Sequence, residues 1–254
     1  MTSCGFVVSN TGLTLAKKGL TCGRPQSCAV RKAPIRMSSS GDSEVLEGPF
    51  KGNFGDWYLT KGDVIGVRDY RFALLGAAVS AAIAAGIALG VENPPLPVVD
   101  ALYLVANGFL GLSLWKIHIY MKPMHNLLKA LWGVGTAGAV AALFLTGEGL
   151  AFGTYDQTLW MLATGWTFVA MTGLFFKEGI CFNRQEAWGL MVLTPILTGG
   201  HFLHLLPAQV ERGGLGAFAA MFLFFAYRKF EQPATDDLGD KSVFDHLERQ
   251  QEAA

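Results

Sequence analysis

The sequence predicts an all-α, polytopic membrane protein built as a bundle of six transmembrane helices. Of its 254 residues, 51% are hydrophobic and only 16% are charged, whereas soluble domains carry about 25% charged residues. This composition excludes a disordered chain, a coiled coil and an ordinary water-soluble enzyme. Six apolar stretches also have about the 17–20 residues that a helix needs to cross a bilayer. The predicted spans are Phe72–Val91, Val98–Trp115, Leu127–Thr146, Thr158–Phe176, Ala187–Leu206 and Gly214–Phe230.

The N-terminal segment differs in composition from the rest of the chain. All 20 acidic residues lie beyond residue 41, whereas residues 1–37 are rich in Lys, Arg, Ser and Thr. Such a segment is typical of an organelle transit peptide, and Val30–Ser38 looks like a plastid processing site; a mitochondrial address and a retained tail are the alternatives. Its removal leaves 14 basic and 20 acidic residues. It also leaves Cys181 as the single cysteine, so the mature chain is expected to lack an internal disulfide.

The distribution of positive charge predicts how the chain is oriented. We divide the chain into the transit peptide (1–37), an N-terminal segment (38–71), the six-helix domain (72–230) and an acidic tail (231–254). Eleven Lys and Arg residues flank one side of the predicted spans, and only Arg212 flanks the other. Because loops rich in Lys and Arg stay on the side from which a chain enters the membrane, both termini are expected in the stroma if the organelle is a plastid. The eleven are Lys51, Lys61, Arg68, Arg71, Lys116, Lys122, Lys129, Lys177, Arg184, Arg228 and Lys229.

Three features inside the spans concern helix packing. Gly86 and Gly90 form a GxxxG pair, which predicts close contact between two helices. Asn107 lies in the middle of a span, so we expect it to hydrogen-bond a neighbouring helix. Gly133–Gly138 matches the GxGxxG fingerprint of dinucleotide-binding proteins, but it lies within an apolar span and not between a strand and a helix. A nucleotide site is therefore rejected.

Two polar loops on the positive side are candidate docking surfaces. In the loop between spans four and five, Gly179 is expected to end a helix, Asn183 and Glu186 resemble a capping box, and Glu178 is positioned to pair with Arg184. The alternative is a rigid interfacial turn without a partner. The second loop carries two histidines that are either solvated or ligands. The docking candidates are Lys177, Glu178, Cys181, Asn183, Arg184, Glu186, His118 and His125.

His201 and His204 are the candidate cofactor ligands. They share one helix face on the predicted lumenal side, and an ionisable residue at membrane depth is a functional hypothesis by default. One imidazole can ligate the metal of a chlorophyll or a haem, with Met161 as the available internal partner. The alternatives are interfacial histidines bonded to backbone or water, and proton or substrate handling.

One string of residues is specific enough to suggest a family. The block from Lys177 to Arg184, together with Leu112–Tyr120 and Gly200–His201, resembles an uncharacterised integral membrane protein family of cyanobacteria and plastids. The resemblance covers about Trp57 to Phe230. It implies a polytopic protein of oxygenic phototrophs, hence a thylakoid protein, and it carries no activity with it.

These observations leave three functions open. The first is a non-enzymatic protein that assembles, supports or docks to a photosynthetic complex, with the lipid bilayer and photosystem subunits as partners and no nucleic acid. The second is a tetrapyrrole-binding protein, and the third is a small transporter, although Thr194–Pro195 is the one break expected in a span. An enzyme is not expected, because no nucleophile–base pair or pair of carboxylates is predicted at the same depth in the membrane.

The plastid inner envelope is the alternative location. The apolar residues Val243, Phe244 and Leu247 predict either an interfacial helix or partner contact, or a frayed tail.

Overall fold

The computed structural model describes residues 44–146 and 149–252, so the predicted transit peptide, with Cys4, Cys22 and Cys28, lies outside the described residues. The described chain forms a β-hairpin, a bundle of long helices and two short C-terminal helices. The antiparallel hairpin consists of β1 (Val45–Gly52) and β2 (Gly55–Thr60). The helices are α1 (Lys61–Gly90), α2 (Leu96–Lys116), α3 (Lys122–Leu145), α4 (Leu150–Asp156), α5 (Met161–Thr164), α6 (Trp166–Phe182), α7 (Gln185–Phe202), α8 (Ala208–Arg228), α9 (Ala234–Leu238) and α10 (Lys241–Glu252).

The first helix begins well before the predicted first span. Thr60 caps it, since its hydroxyl accepts from the Asp63 amide at 3.3 Å and the Asp63 carboxylate accepts from the Thr60 amide at 2.9 Å. This capping box satisfies two amides that a helix otherwise leaves without partners. With 30 residues, α1 is about 45 Å long, which exceeds the roughly 30 Å hydrocarbon core of a bilayer. Its first turns therefore extend into the N-terminal segment.

Four helices are long and apolar enough to cross a membrane, and a fifth crossing results if one bent pair counts as a single span. The four are Lys61–Gly90, Leu96–Lys116, Lys122–Leu145 and Ala208–Glu231. The fifth predicted span, Ala187–Leu206, coincides with α7, whose 18 residues include Gln185, Glu186 and His201. These polar ends lower the mean hydropathy of α7, so six spans are not confirmed.

The break in the chain lies elsewhere than the sequence predicted. The fourth predicted span, Thr158–Phe176, is bent by 53° between Thr158–Thr164 and Trp166–Phe182. Gly165 occupies the junction, and glycine is among the weakest helix formers. Helix α7, by contrast, continues through Pro195. The prediction that Thr194–Pro195 is the one break was therefore wrong.

Close helix packing also occurs at other glycines than predicted. A Cβ added at Gly86 or Gly90 would have nothing within 4 Å, so the expected GxxxG contact is absent from the described chain. Gly135 instead lies against the Thr167 backbone and Gly138 against the Ala163 backbone. These two belong to the rejected GxGxxG motif, and their missing side chains let α3 approach α5 and α6. The prediction for Asn107 is confirmed, because its amide donates to Thr136 Oγ1 on α3 at 2.9 Å.

The hairpin and the C-terminal helices lie together at one end of the bundle, which we call the hairpin end. The Asn53 amide donates to Asp240 Oδ2 at 2.7 Å, and Lys241 Nζ pairs with Asp63 at 2.7 Å. The His246 ring stacks on Phe54 with centroids 4.0 Å apart. The tail after residue 231 thus forms α9 and α10, which contact the hairpin and the start of α1 in the described chain.

Candidate functional site

A buried network of charged side chains lies at the hairpin end, where α1, α6, α8 and α9 meet. Its centre is Glu178, whose side chain has no exposed surface. Glu178 accepts from Tyr70 Oη at 2.9 Å, from Lys177 Nζ at 3.0 Å and from Lys229 Nζ at 2.7 Å. A buried carboxylate is tolerated only when it is paired and hydrogen-bonded in this way.

The second carboxylate of the network is Asp237. It pairs with Lys229 and accepts from Arg71 Nε at 2.7 Å. Arg71 also donates to the Pro233 carbonyl at 3.1 Å, so it holds both the start of α9 and the carboxylate within α9. The network therefore fastens the C-terminal segment to the helices of the bundle.

The loop between α6 and α7 differs in detail from the prediction. Helix α6 runs through Gly179, and Asn183 takes the left-handed conformation that ends it (φ 49°, ψ 43°). Arg184 is the N-cap of α7 and no side chain caps that helix. The predicted capping box and the predicted Gly179 terminus were thus wrong. The Glu178–Arg184 pair was also wrong, because Arg184 pairs with Glu186 at 3.8 Å.

A cleft of about 760 Å³ opens beside this loop, and we call it the hairpin-end cleft. Cys181 and Asn183 lie on its wall with residues of the hairpin and of the segment around α9, such as Lys51 and Asp236. Both Cys181 and Asn183 are exposed. Of the other docking candidates in this loop, Glu178 and Glu186 are buried, whereas Lys177 and Arg184 are partly buried. The loop therefore divides into residues that build the network and residues that line the cleft.

The two histidines of the second loop lie apart from the cleft wall. His125 Nε2 is 2.7 Å from the Leu114 carbonyl. His118 is half-buried and meets the Phe244 ring edge to face, with centroids 6.3 Å apart. Phe244 belongs to the apolar face of α10 and also contacts Tyr120. This contact places the predicted apolar face of the tail against the loop between α2 and α3.

We expect acidification to weaken the contact between His118 and α10. Burial, aided by the nearby Lys177 ammonium, lowers the pKa of His118 below its ordinary 6.5. The unfolded chain then binds the proton more tightly, so the stability that neutral His118 contributes is present above pH 6.5 and is lost as the pH falls below it. The unfolding temperature of the purified chain at about pH 7.5 and pH 5.5 measures this effect. His118→Gln should show a smaller decrease than wild type; an unchanged decrease in His118→Gln would contradict the assignment.

The opposite end of the bundle holds a second polar cluster around His201. Its Nδ1 lies 2.9 Å from Glu211 Oε1 and its Nε2 lies 3.0 Å from the Tyr155 carbonyl. The Tyr155 ring stacks on His201, and its hydroxyl donates to Glu211 Oε2 at 2.8 Å. This hydrogen bond, together with burial, raises the pKa of Tyr155 above its ordinary value of 10. His204 follows α7 with a positive φ of 55°, and its ring centroid lies 6.5 Å from that of His201.

A central cavity of about 570 Å³ extends from this cluster into the bundle. His201 and Met161, which the sequence proposed as partners, both lie on its wall, whereas His204 does not line it. Both ring nitrogens of His201 already face protein groups. Within residues 44–146 and 149–252, no group of three or more His, Cys, Asp and Glu residues is arranged to hold a metal ion.

The comparisons with known proteins identify the family of the chain. A family described as "Uncharacterized integral membrane protein (DUF2301)" matches residues 112–246. No curated protein and no solved structure matches the chain. The matched region runs from α2 to α10, so it includes Glu178, Lys229 and Asp237 of the buried network as well as His201 and Glu211. Because the match covers more than half of the chain, this protein belongs to the DUF2301 family of integral membrane proteins.

Proposed function

We propose that this protein is a non-enzymatic thylakoid membrane protein that assembles, supports or docks to a photosynthetic complex. The observation that carries the proposal is the ordered surface at the hairpin end. There the buried charge network attaches α9 to the bundle, and the hairpin and α10 are joined to the same region through Asp240 and Lys241. A protein that only crosses the membrane needs no such structure outside it, whereas a docking protein needs a rigid surface that a partner recognises.

We further propose six spans with both termini in the stroma. The hairpin precedes the first span and α10 follows the last, and the two contact each other where the Phe54 amide donates to Ser242 Oγ at 3.1 Å. An even number of crossings accounts for this contact, with α7 as the crossing whose polar ends lower its hydropathy. Loops rich in Lys and Arg stay on the side from which the chain enters the membrane, which is the stroma in a plastid, and the composition of residues 1–37 supports a plastid.

Photo-crosslinking from Cys181 tests the docking proposal. Cys181 is exposed and lies on the wall of the hairpin-end cleft. A benzophenone maleimide would be attached to it in gently solubilised native membranes, from a chain in which Cys4, Cys22 and Cys28 are replaced by Ser. The matched control moves the single cysteine to residue 144 by Phe144→Cys with Cys181→Ser, since Phe144 is 77% exposed near the other end of α3.

Subunits of a photosynthetic complex should crosslink to Cys181 and not to the control position. On a gentle native gel, the protein should migrate with that complex, and its loss should lower the amount of the complex. A chain that migrates alone, and whose loss leaves every photosystem intact, would overturn the proposal.

A haem- or chlorophyll-binding protein is the second candidate, favoured by one observation. Met161 and His201 line the same cavity. Ligation would require His201 to give up its contact with Glu211 or with the Tyr155 carbonyl. The absorption spectrum of the gently purified protein tests this: a Soret or red band that disappears in His201→Ala or His204→Ala would establish it. A colourless protein would reject it.

A further inference from the structure

We propose that the central cavity binds an uncharged, lipid-like molecule whose head carries hydroxyl and carbonyl groups. The cavity lies between α1, α2, α6, α7 and α8. Its wall on α1 extends from Ala77 to Leu89, which corresponds to about 18 Å along the helix axis. The space is thus elongated along the bundle, as an acyl or isoprenoid chain requires.

Small side chains on α1 create this space. Ala77, Ala81, Ala85 and Ala88 recur at intervals of three and four residues, so they share one helix face, and all four line the cavity. Ala77 and Ala85 are only 2% and 6% exposed. A larger apolar residue at these positions would fill the cavity. The small alanine side chains on α1 therefore form an apolar wall and leave the space next to it open.

The wall on α2 and α6 is different, because it carries buried polar atoms with no hydrogen-bond partner. Asn107 Oδ1 and Thr167 Oγ1 are in this state among the described residues, and both residues line the cavity. Asn107 is 5% exposed and Thr167 is 4% exposed. The Asn107 amide nitrogen is already used by Thr136, so its oxygen requires a donor such as a hydroxyl group.

Two further hydroxyl groups extend this polar wall toward the His201 end. Tyr103 Oη and Thr154 Oγ1 are buried, line the cavity and lack a hydrogen bond of good geometry in the described chain. The Tyr103 and Thr167 hydroxyls lie within reach of each other. A hydrogen bond between them would still leave Asn107 Oδ1 and Thr154 Oγ1 without partners. Polar atoms without partners are costly in an apolar interior. A bound molecule with hydroxyl and carbonyl groups along one side would satisfy them.

The charges at the His201 end favour an uncharged ligand. Both Glu211 oxygens have partners, Tyr155 Oη and His201 Nδ1. Arg212 donates to the Leu89 carbonyl at 2.9 Å on the rim. Deeper in the cavity the described lining holds no charged side chain, so a charged head would be buried without a counter-ion.

Monoolein, which has two hydroxyls, an ester carbonyl and one long chain, is a suitable probe. Native mass spectrometry of the purified full chain in detergent would count bound monoolein and measure its affinity. We expect one tightly bound molecule in wild type. Ala85→Phe should lose at least about tenfold in affinity because the ring fills the cavity, whereas Ile83→Phe, at a position 49% exposed, should bind as wild type.

Thr167→Val provides the test that does not depend on a bulky substitution. It keeps the shape of the side chain and removes one orphaned hydroxyl, so we expect about tenfold weaker binding, equivalent to about 1.4 kcal/mol. Without monoolein, its unfolding temperature should stay close to that of wild type, because the lost hydroxyl makes no hydrogen bond of good geometry in the described chain. A merely structural threonine would give a lower unfolding temperature.

Three results would overturn the proposal. One is equal monoolein binding by wild type, Ala85→Phe and Thr167→Val, which would indicate lipid on the outer surface. Another is a tetrapyrrole absorption band in the purified protein, and the third is no saturable binding. None of these depends on crosslinking at Cys181, at the other end of the bundle, so the ligand and docking proposals fail separately.

Discussion

Replacing Glu178 by Leu should lower the free energy of unfolding by about 3–5 kcal/mol, the usual cost of removing one partner of a buried ion pair. Glu178 has no exposed surface, and Lys229 beside it is 1% exposed. Without this carboxylate, Lys229 keeps Asp237 as its carboxylate partner, and Arg71 also binds Asp237. Equilibrium unfolding of the purified chain in mixed detergent micelles measures the loss.

A double variant separates the ion pair from the space that it fills. Glu178→Leu combined with Lys229→Met removes both charges of this pair, and Asp237 retains Arg71. We expect the double variant to lose less free energy of unfolding than the two single variants lose together. Replacing a whole buried pair by apolar residues is often neutral. Glu231→Gln, at the exposed pair with Arg228, is the matched control and should cost about 0–1 kcal/mol. If Glu178→Leu unfolds as wild type does, the network does not hold the tail.

Two Gly→Ala substitutions should have effects of opposite sign. Gly135→Ala should destabilise the chain by about 1–3 kcal/mol, the typical cost of overpacking, because the new Cβ would overlap the Thr167 amide nitrogen and hydroxyl. A backbone atom cannot rotate away as a side chain can, so α3 and α6 must separate. Gly86→Ala meets open space and should gain about 0.5–1 kcal/mol from helix propensity.

The same micelle unfolding experiment measures both glycine variants. Gly138→Ala, beside the Ala163 backbone, should reproduce the loss at Gly135. A loss of stability in Gly86→Ala would mean that this glycine contacts a second protein or a second copy of the chain. Equal effects at Gly86 and Gly135 would contradict the packing described for α3.

Much of the fold could be read directly from residue types. Apolar length predicted the long helices, and the polar Asn107 at the centre of one of them predicted a hydrogen bond to a neighbouring helix, which Asn107 makes with Thr136. Two other features also carry a local signal in the sequence. Thr60 and Asp63 have the spacing of a capping box, and Lys229 ends an apolar helix eight residues before Asp237. Residues with such local signals can be found without the structure.

The partners of Glu178 could not be predicted from its own surroundings. Sequence proximity suggested Arg184, whereas the folded chain brings Tyr70 to it from α1 and Lys229 from the residue after α8. Gly86 and Gly135 illustrate the same limit. Both lie in glycine-rich apolar segments, and only the position of the neighbouring helix decides which one is in close contact.

The sequence by itself determined that this chain is an integral membrane protein, and it predicts the orientation of the chain. Both conclusions depend on the free energy of transferring side chains between water and lipid, which is set mainly by the type of each residue. The tertiary structure decided which glycines pack, which charges pair, and that alanines on α1 face Asn107 and Thr167 across a cavity. Those features depend on distances between helices that are remote in sequence. A helical repeat fixes which residues share a face, but it does not fix what that face meets.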